Sequence, residues 1–251
     1  PHMIASGPVH HLIHFDTTEH FFGCYLGINP LRDLETADWL SLSEQKLLSI
    51  TSGAIFHDDL GELEPVRQYL AYYPNDVWLH LLACQWQKIA EEEVFVGRCS
   101  AVGDELGSRL IAARLVQTLM KLCFLLEKTY APYSKWLGTA FKRLQCASEL
   151  APILMHIVQA TTYSEREAHL AQAYMIVAGL HNRLGITEPL DTQVSPYHQR
   201  PYLVIHAKNF AQYLRTAFRM KTSKIFASEG DRLINGSILM IKFPTPGSVN
   251  K

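Results

Sequence analysis

Seven residues, Tyr130-Ala-Pro-Tyr133-Ser-Lys135-Trp136, bring two phenols, an indole and an ammonium group to the start of a helix. Aromatic faces of this kind can stack on a nucleobase, and a lysine beside free helix N–H groups can meet phosphate. The same residues can also serve as packing between helices, with the lysine turned to solvent. A second group is Glu91-Glu92-Glu93. Three carboxylates near a helix C-terminus face the negative end of the macrodipole, an unfavourable place. Either the helix continues past them, or a cation, an arginine or a substrate amine compensates, or they form a solvated acidic face. Arg98 is the nearest candidate in sequence. Arg109 has Glu105 four residues before it, an ordinary helix-surface pair, whereas Arg114 has Leu110 there and reads as the freer cation. The third group is His10, His14 and Asp16, which share one face of a strand over 8–15. They read either as transition-metal ligands or as surface residues of an edge strand.

Several familiar motifs are missing. There is no Gly-x-Gly-x-x-Gly, Gly-Lys-Ser/Thr, Gly-x-Ser-x-Gly or His-Glu-x-x-His, which argues against the common nucleotide-loop, hydrolase and zinc-protease chemistries. The five cysteines, Cys24, Cys84, Cys99, Cys123 and Cys146, are odd in number and never form a Cys-x-x-Cys. That spacing points to free thiols in a reducing cytoplasm. With 23 Lys+Arg against 24 Asp+Glu over 251 residues, the chain lacks the charge of a general nucleic-acid binder. Its most apolar stretch, Leu115 to Leu126, is broken by Gln117 and Lys121, well short of the ~18 apolar residues of a membrane span.

The elements that must position these groups are mostly helices. Asp16-Thr17-Thr18 reads as a turn or helix cap before Phe21, Phe22, Tyr25 and Leu26. Ser41 with Glu44 reads as a capping box, and Ser164 with Glu167 as another, for a helix running to Leu184 and stopping at Gly185. Between them lie helices over 63–72, from Asn75 onward, 104–129, 134–145 and 147–159, and a last one near 207–219. The longest places Leu106, Leu110, Ala113, Leu119, Leu122 and Leu126 on its buried side. Pro189, Pro196 and Pro201 mark an irregular stretch, and Asn235-Gly236 is a hairpin signal. The chain is therefore expected to be a mainly α, compact multi-helix domain, with short strands near the N-terminus and a hairpin at the C-terminus. Residues 1–3 (Pro1-His2-Met3) look like a cloning remnant, 4–34 strand and loop, 35–220 the helical domain and 221–251 an extension.

Several phrases together resemble a bacterial family known as domain of unknown function 4037. They are Leu70-Ala-Tyr-Tyr-Pro74, Asn75-Asp-Val-Trp-Leu79, Val102-Gly-Asp-Glu-Leu-Gly-Ser108, Ala131-Pro-Tyr-Ser-Lys-Trp136 with Gly138-Thr-Ala-Phe141, and His181-Asn182 leading to Gly185-Ile-Thr-Glu-Pro-Leu190. The resemblance extends over about residues 5 to 215. It implies a helical region that follows a nucleotidyltransferase-like domain, in which magnesium bridges acidic side chains and a nucleoside triphosphate. That domain's Asp-x-Asp occurs nowhere in this chain, and Gly107-Ser108 cannot replace its Gly-Ser opening. The implied function is a helical nucleotide- or acceptor-binding domain, not catalytic alone, with no cofactor of its own. By the same resemblance Lys135 would contact phosphate, and Arg114, the freer cation, is a further residue such a surface could use. Tyr133 or Trp136 would stack, Glu92 or Glu93 would receive a cationic acceptor, and Asp16 would correspond to a late metal carboxylate. Its partners would be the missing N-terminal catalytic domain or a small-molecule acceptor. The alternative is a stand-alone interaction or regulatory domain using the Trp78/Trp86 helix or the Lys135-Trp136 region.

Overall fold

The computed structural model describes residues 15–217. Ten helices lie wholly within them: α1 Thr18–Leu26, α2 Thr36–Ser41, α3 Glu44–Thr51, α4 Leu63–Tyr69, α5 Asn75–Glu92, α6 Phe95–Ala101, α7 Glu105–Leu126, α8 Ser134–Phe141, α9 Ala147–Gln159 and α10 Tyr163–Arg183. Residues 207–217 are also helical. The described sheet is one antiparallel pair, β1 Ser195–Pro196 with β2 Leu203–Val204, in the register Ser195 to Val204 and Pro196 to Leu203. The protein is thus mainly α. No helix among the described residues is long and apolar enough to cross a membrane.

Helix α7 is the axis of the fold. Its Ile111, Leu115, Leu119, Leu122 and Leu126 recur at helical spacing and are buried against α5, α9 and α10. Each such side chain contributes roughly 1.5–3 kcal/mol on leaving water. Polar groups fix the angle between α5 and α7: the Trp78 indole donates to the Leu125 carbonyl at 2.7 Å, and Gln85 donates to the Thr118 carbonyl at 2.9 Å. At the other end Arg166 of α10 is buried. Its guanidinium donates to Ser108 Oγ at 2.7 Å and to the Glu105 carboxylate at 2.5 Å. Ser108 in turn donates to the Val96 carbonyl, so one buried cation ties α6, α7 and α10 together. Gly97 has a steric reason to be glycine: a Cβ there would stand 2.4 Å from the Tyr202 ring and 2.8 Å from the Tyr163 hydroxyl. That close approach lets the Tyr202 ring, just before β2, lie against α6.

Several expectations shift. The region 4–34, read as strand and loop, contains α1, capped by the Thr17 hydroxyl and closed by Gly27 at φ +82°. The expected strand over 8–15 and the Asn235-Gly236 hairpin lie outside the described residues, save Phe15, which belongs to no element. Ser41 ends α2 instead of capping a helix, and Ser43 precedes α3. The second capping box is Thr162 with Glu165, two residues before the expected pair. Leu106 and Leu110 are 69% and 55% exposed and Ala113 is exposed as well, so the buried stripe of the first half of α7 runs through Ser108, Ile111 and Leu115 instead.

Candidate functional site

A groove of about 600 Å³ opens between α3, the end of α7 and α8. Gln45 and Ser49 of α3 line one wall, Phe124 and Glu127 the floor, and Trp136, Thr139 and Arg143 the other wall. Hydrogen bonds pin the walls together. The Gln45 side-chain oxygen accepts from the Tyr133 backbone N–H at 3.0 Å, fixing the start of α8 against α3. The same side chain donates to Ser49 Oγ at 3.2 Å. Tyr130, buried behind the groove, donates to the Leu70 carbonyl at 2.9 Å. Burial raises its phenol pKa, so it stays protonated and serves as a donor.

The charges in the groove are unequal. Glu127 accepts from the Gln145 and Cys146 backbone N–H groups at 2.7 and 2.9 Å, and so caps the approach to α9. Its negative charge is therefore spent on the fold. Arg143 is exposed, and its guanidinium has no hydrogen-bond or ion-pair partner among the described residues. Trp136 is 48% exposed and carries the Lys135 ammonium 5.0 Å from its ring centre. The groove thus presents an open indole, the Arg143 cation, the amide-bound Glu127 carboxylate and neutral amide and hydroxyl groups, with Lys135 next to Trp136 outside the lining. Such a surface can stack a planar ring and neutralise an attached anion.

The expected site residues separate into three places. Tyr133, Lys135 and Trp136 stand together at the start of α8, with Tyr133 half exposed and its ring free of the core. Glu92 and Glu93 lie at the C-terminal end of α5 and Arg114 near the middle of α7; from Arg114 to Phe124 is about 15 Å along the helix. Arg114 is not the free cation expected: it pairs with Glu92 at 2.7 Å, a partner 22 residues earlier. Glu93 is buried and accepts from the Ile205 and Ala207 N–H groups at 3.0 and 3.1 Å, holding the start of the 207–217 run. Burial outweighs those donors and pushes its pKa up to about 7. Glu91 accepts from Gln87 on its own helix. The acidic run is therefore divided among three separate structural duties.

Asp16 stands before α1 and receives the Thr17 N–H and the His20 ring nitrogen. Among the described residues no group of three or more His, Cys, Asp or Glu side chains is placed to hold a metal ion. His10 and His14, the other expected donors, lie outside the described residues. Trp78 and Trp86 are 3% and 0% exposed, so the interaction surface read on that helix is core.

Sequence reasoning missed Arg143, Gln45 and Thr139. A signal for two of them existed: Trp136, Thr139 and Arg143 recur at three and four residues, one face of a helical turn. Gln45 carried no such signal, because its partner is 88 residues away.

No curated protein and no solved structure matches the chain. One protein family does, described as "Domain of unknown function (DUF4037)", over residues 39–137. That stretch runs from the end of α2 to the middle of α8 and contains Gln45, Tyr130, Lys135 and Trp136. Over residues 39–137, therefore, this chain is similar to the DUF4037 family.

Proposed function

We propose that the chain is the helical nucleotide- or acceptor-binding domain of a bacterial nucleotidyltransferase-like protein and is not catalytic alone. The observation that supports this most is the groove in which half-exposed Trp136 stands beside Arg143, a cation with no partner among the described residues. A nucleobase would stack on Trp136. The phosphates would meet Arg143, Lys135 and the first-turn N–H groups of α8, which no side chain caps. Magnesium, which supplies charge neutralisation in nucleotidyl transfer, is left to the nucleotide's own phosphates and to a separate catalytic domain. Five free thiols fit a reducing, cytoplasmic setting for such a protein.

Equilibrium dialysis of the full chain against a magnesium–nucleoside triphosphate tests the reading. Binding is expected, and Trp136→Ala should weaken it about ten- to a hundredfold, the range of a lost stacking contact of roughly 1–3 kcal/mol. Arg143→Ala should weaken triphosphate binding more than nucleoside binding. Retention of full affinity by both variants would remove the groove from consideration.

A second reading, a stand-alone interaction domain, is favoured by Phe56 and Leu60, which are 97% and 82% exposed in the segment after α3. A chain that binds no nucleotide but changes its association state in Phe56→Ser would favour that reading instead.

A further inference from the structure

We infer that His20 and Cys24 form a binding site for a borderline-soft divalent cation of the zinc type. The two side chains lie four residues apart on α1, with Cys24 Sγ 3.4 Å from His20 Nε2. A tetrahedral zinc ion has Zn–S of about 2.3 Å and Zn–N of about 2.0–2.1 Å, so its sulfur and nitrogen ligands stand about 3.6 Å apart. The pair is therefore spaced nearly as a bidentate chelate would be.

Three further features favour a cation here. His20 turns its other nitrogen, Nδ1, to the Asp16 carboxylate at 2.7 Å. In the neutral ring that contact selects the tautomer with its proton on Nδ1 and the Nε2 lone pair facing the thiol, the arrangement typical of a ligating histidine. Cys24 is exposed and lies in the last turn of α1, where the macrodipole favours positive charge. A thiolate with an imidazole also suits zinc far better than magnesium or calcium. Binding displaces the Cys24 thiol proton to solvent, and water or further donors complete the coordination.

The molecule holds its own comparison. His80 and Cys84 repeat the spacing, with Sγ 3.5 Å from Nε2. There Cys84 is half-buried, Lys88 and Arg215 stand near it, and no hydrogen bond to a carboxylate is made by His80 among the described residues. That pair lacks the features that recommend α1.

Cobalt(II) titration of the full chain, reduced and free of any affinity tag, tests the site. A near-ultraviolet thiolate-to-cobalt absorption band should appear and saturate, and zinc should displace it. The band should vanish in Cys24→Ser, persist in Cys84→Ser, and require about ten- to a hundredfold more cobalt in Asp16→Asn. Helical circular dichroism should stay unchanged in all three, since the replaced side chains are not in the core. Absence of the band in the unaltered chain, its persistence in Cys24→Ser or its loss in Cys84→Ser overturns the assignment.

Discussion

Replacing Glu93 with glutamine should make stability rise more steeply with pH, relative to the unaltered protein, between about pH 4.5 and pH 6.5. Replacing His181 with glutamine should change the slope in the opposite sense. The two groups grip the same segment, Glu93 through the Ile205 and Ala207 amides and His181 through its edge-on contact with Phe210. Burial raises the Glu93 carboxyl from 4.5 to about 7, so the fold favours its protonated form. Its contribution is complete below pH 4.5 and is lost as pH climbs through 7. Burial lowers His181 from 6.5 to about 4, so the fold favours the neutral ring. The Trp86 indole N–H reinforces this by donating to Nδ1 at 3.2 Å, the atom a second proton would need. The contribution of His181 is complete above pH 6.5 and is lost as pH falls through 4.

Each shift is worth about 3 kcal/mol at roughly 1.4 kcal/mol per unit. Between pH 4.5 and 6.5 the two slopes oppose and nearly cancel. Removing either partner exposes the other. Denaturant melts at half-unit intervals would reveal it, and an E93Q profile parallel to that of the unaltered protein would refute the pairing.

Trp86→Ala should cost about 3–5 kcal/mol, the range for deleting a fully buried aromatic side chain. Trp86 is 0% exposed and stacks on Phe210 with ring centres 4.2 Å apart and planes 18° from parallel. It therefore fastens residues 207–217 to α5 as well as filling the core. Trp86→Phe keeps the stacking surface but leaves the buried His181 Nδ1 without its donor, which should cost about 1–3 kcal/mol. The His181 pKa should rise in that variant, since no donor then occupies Nδ1. Chemical denaturation measures both costs, and hydrogen exchange at Ala211 and Leu214 reports whether the 207–217 run loosens first.

Legibility in the sequence followed the range of the interactions. Helices built from their own periodicity were readable: the expected 147–159 segment coincides with α9, and 104–129 brackets α7. Ends were less so, because Thr162, Ser164, Glu165 and Glu167 offer two overlapping capping boxes. The structure uses the first for capping and gives Glu167 to the Leu203 N–H. The β1–β2 pair was hidden because Pro196 and Pro201 dominate a segment whose strands are two residues each.

The candidate site divides in the same way. Tyr133, Lys135 and Trp136 were visible as a local cluster. Arg114 has no acidic residue four positions before it on its own helix, and its partner Glu92 arrives from α5. Glu93 reads in the sequence as a carboxylate open to a cationic ligand, yet its partners are backbone amides more than a hundred residues onward.

The groove's central claim reduces to one side chain. Of the tryptophans, Trp39, Trp78 and Trp86 are 2%, 3% and 0% exposed, while Trp136 is 48% exposed. Their indole N–H groups give separate nitrogen–proton resonances in a ¹⁵N-labelled sample. Titration with a magnesium–nucleoside triphosphate should move the Trp136 resonance progressively and leave the other three in place. An unmoved Trp136 resonance at saturating nucleotide would contradict the account.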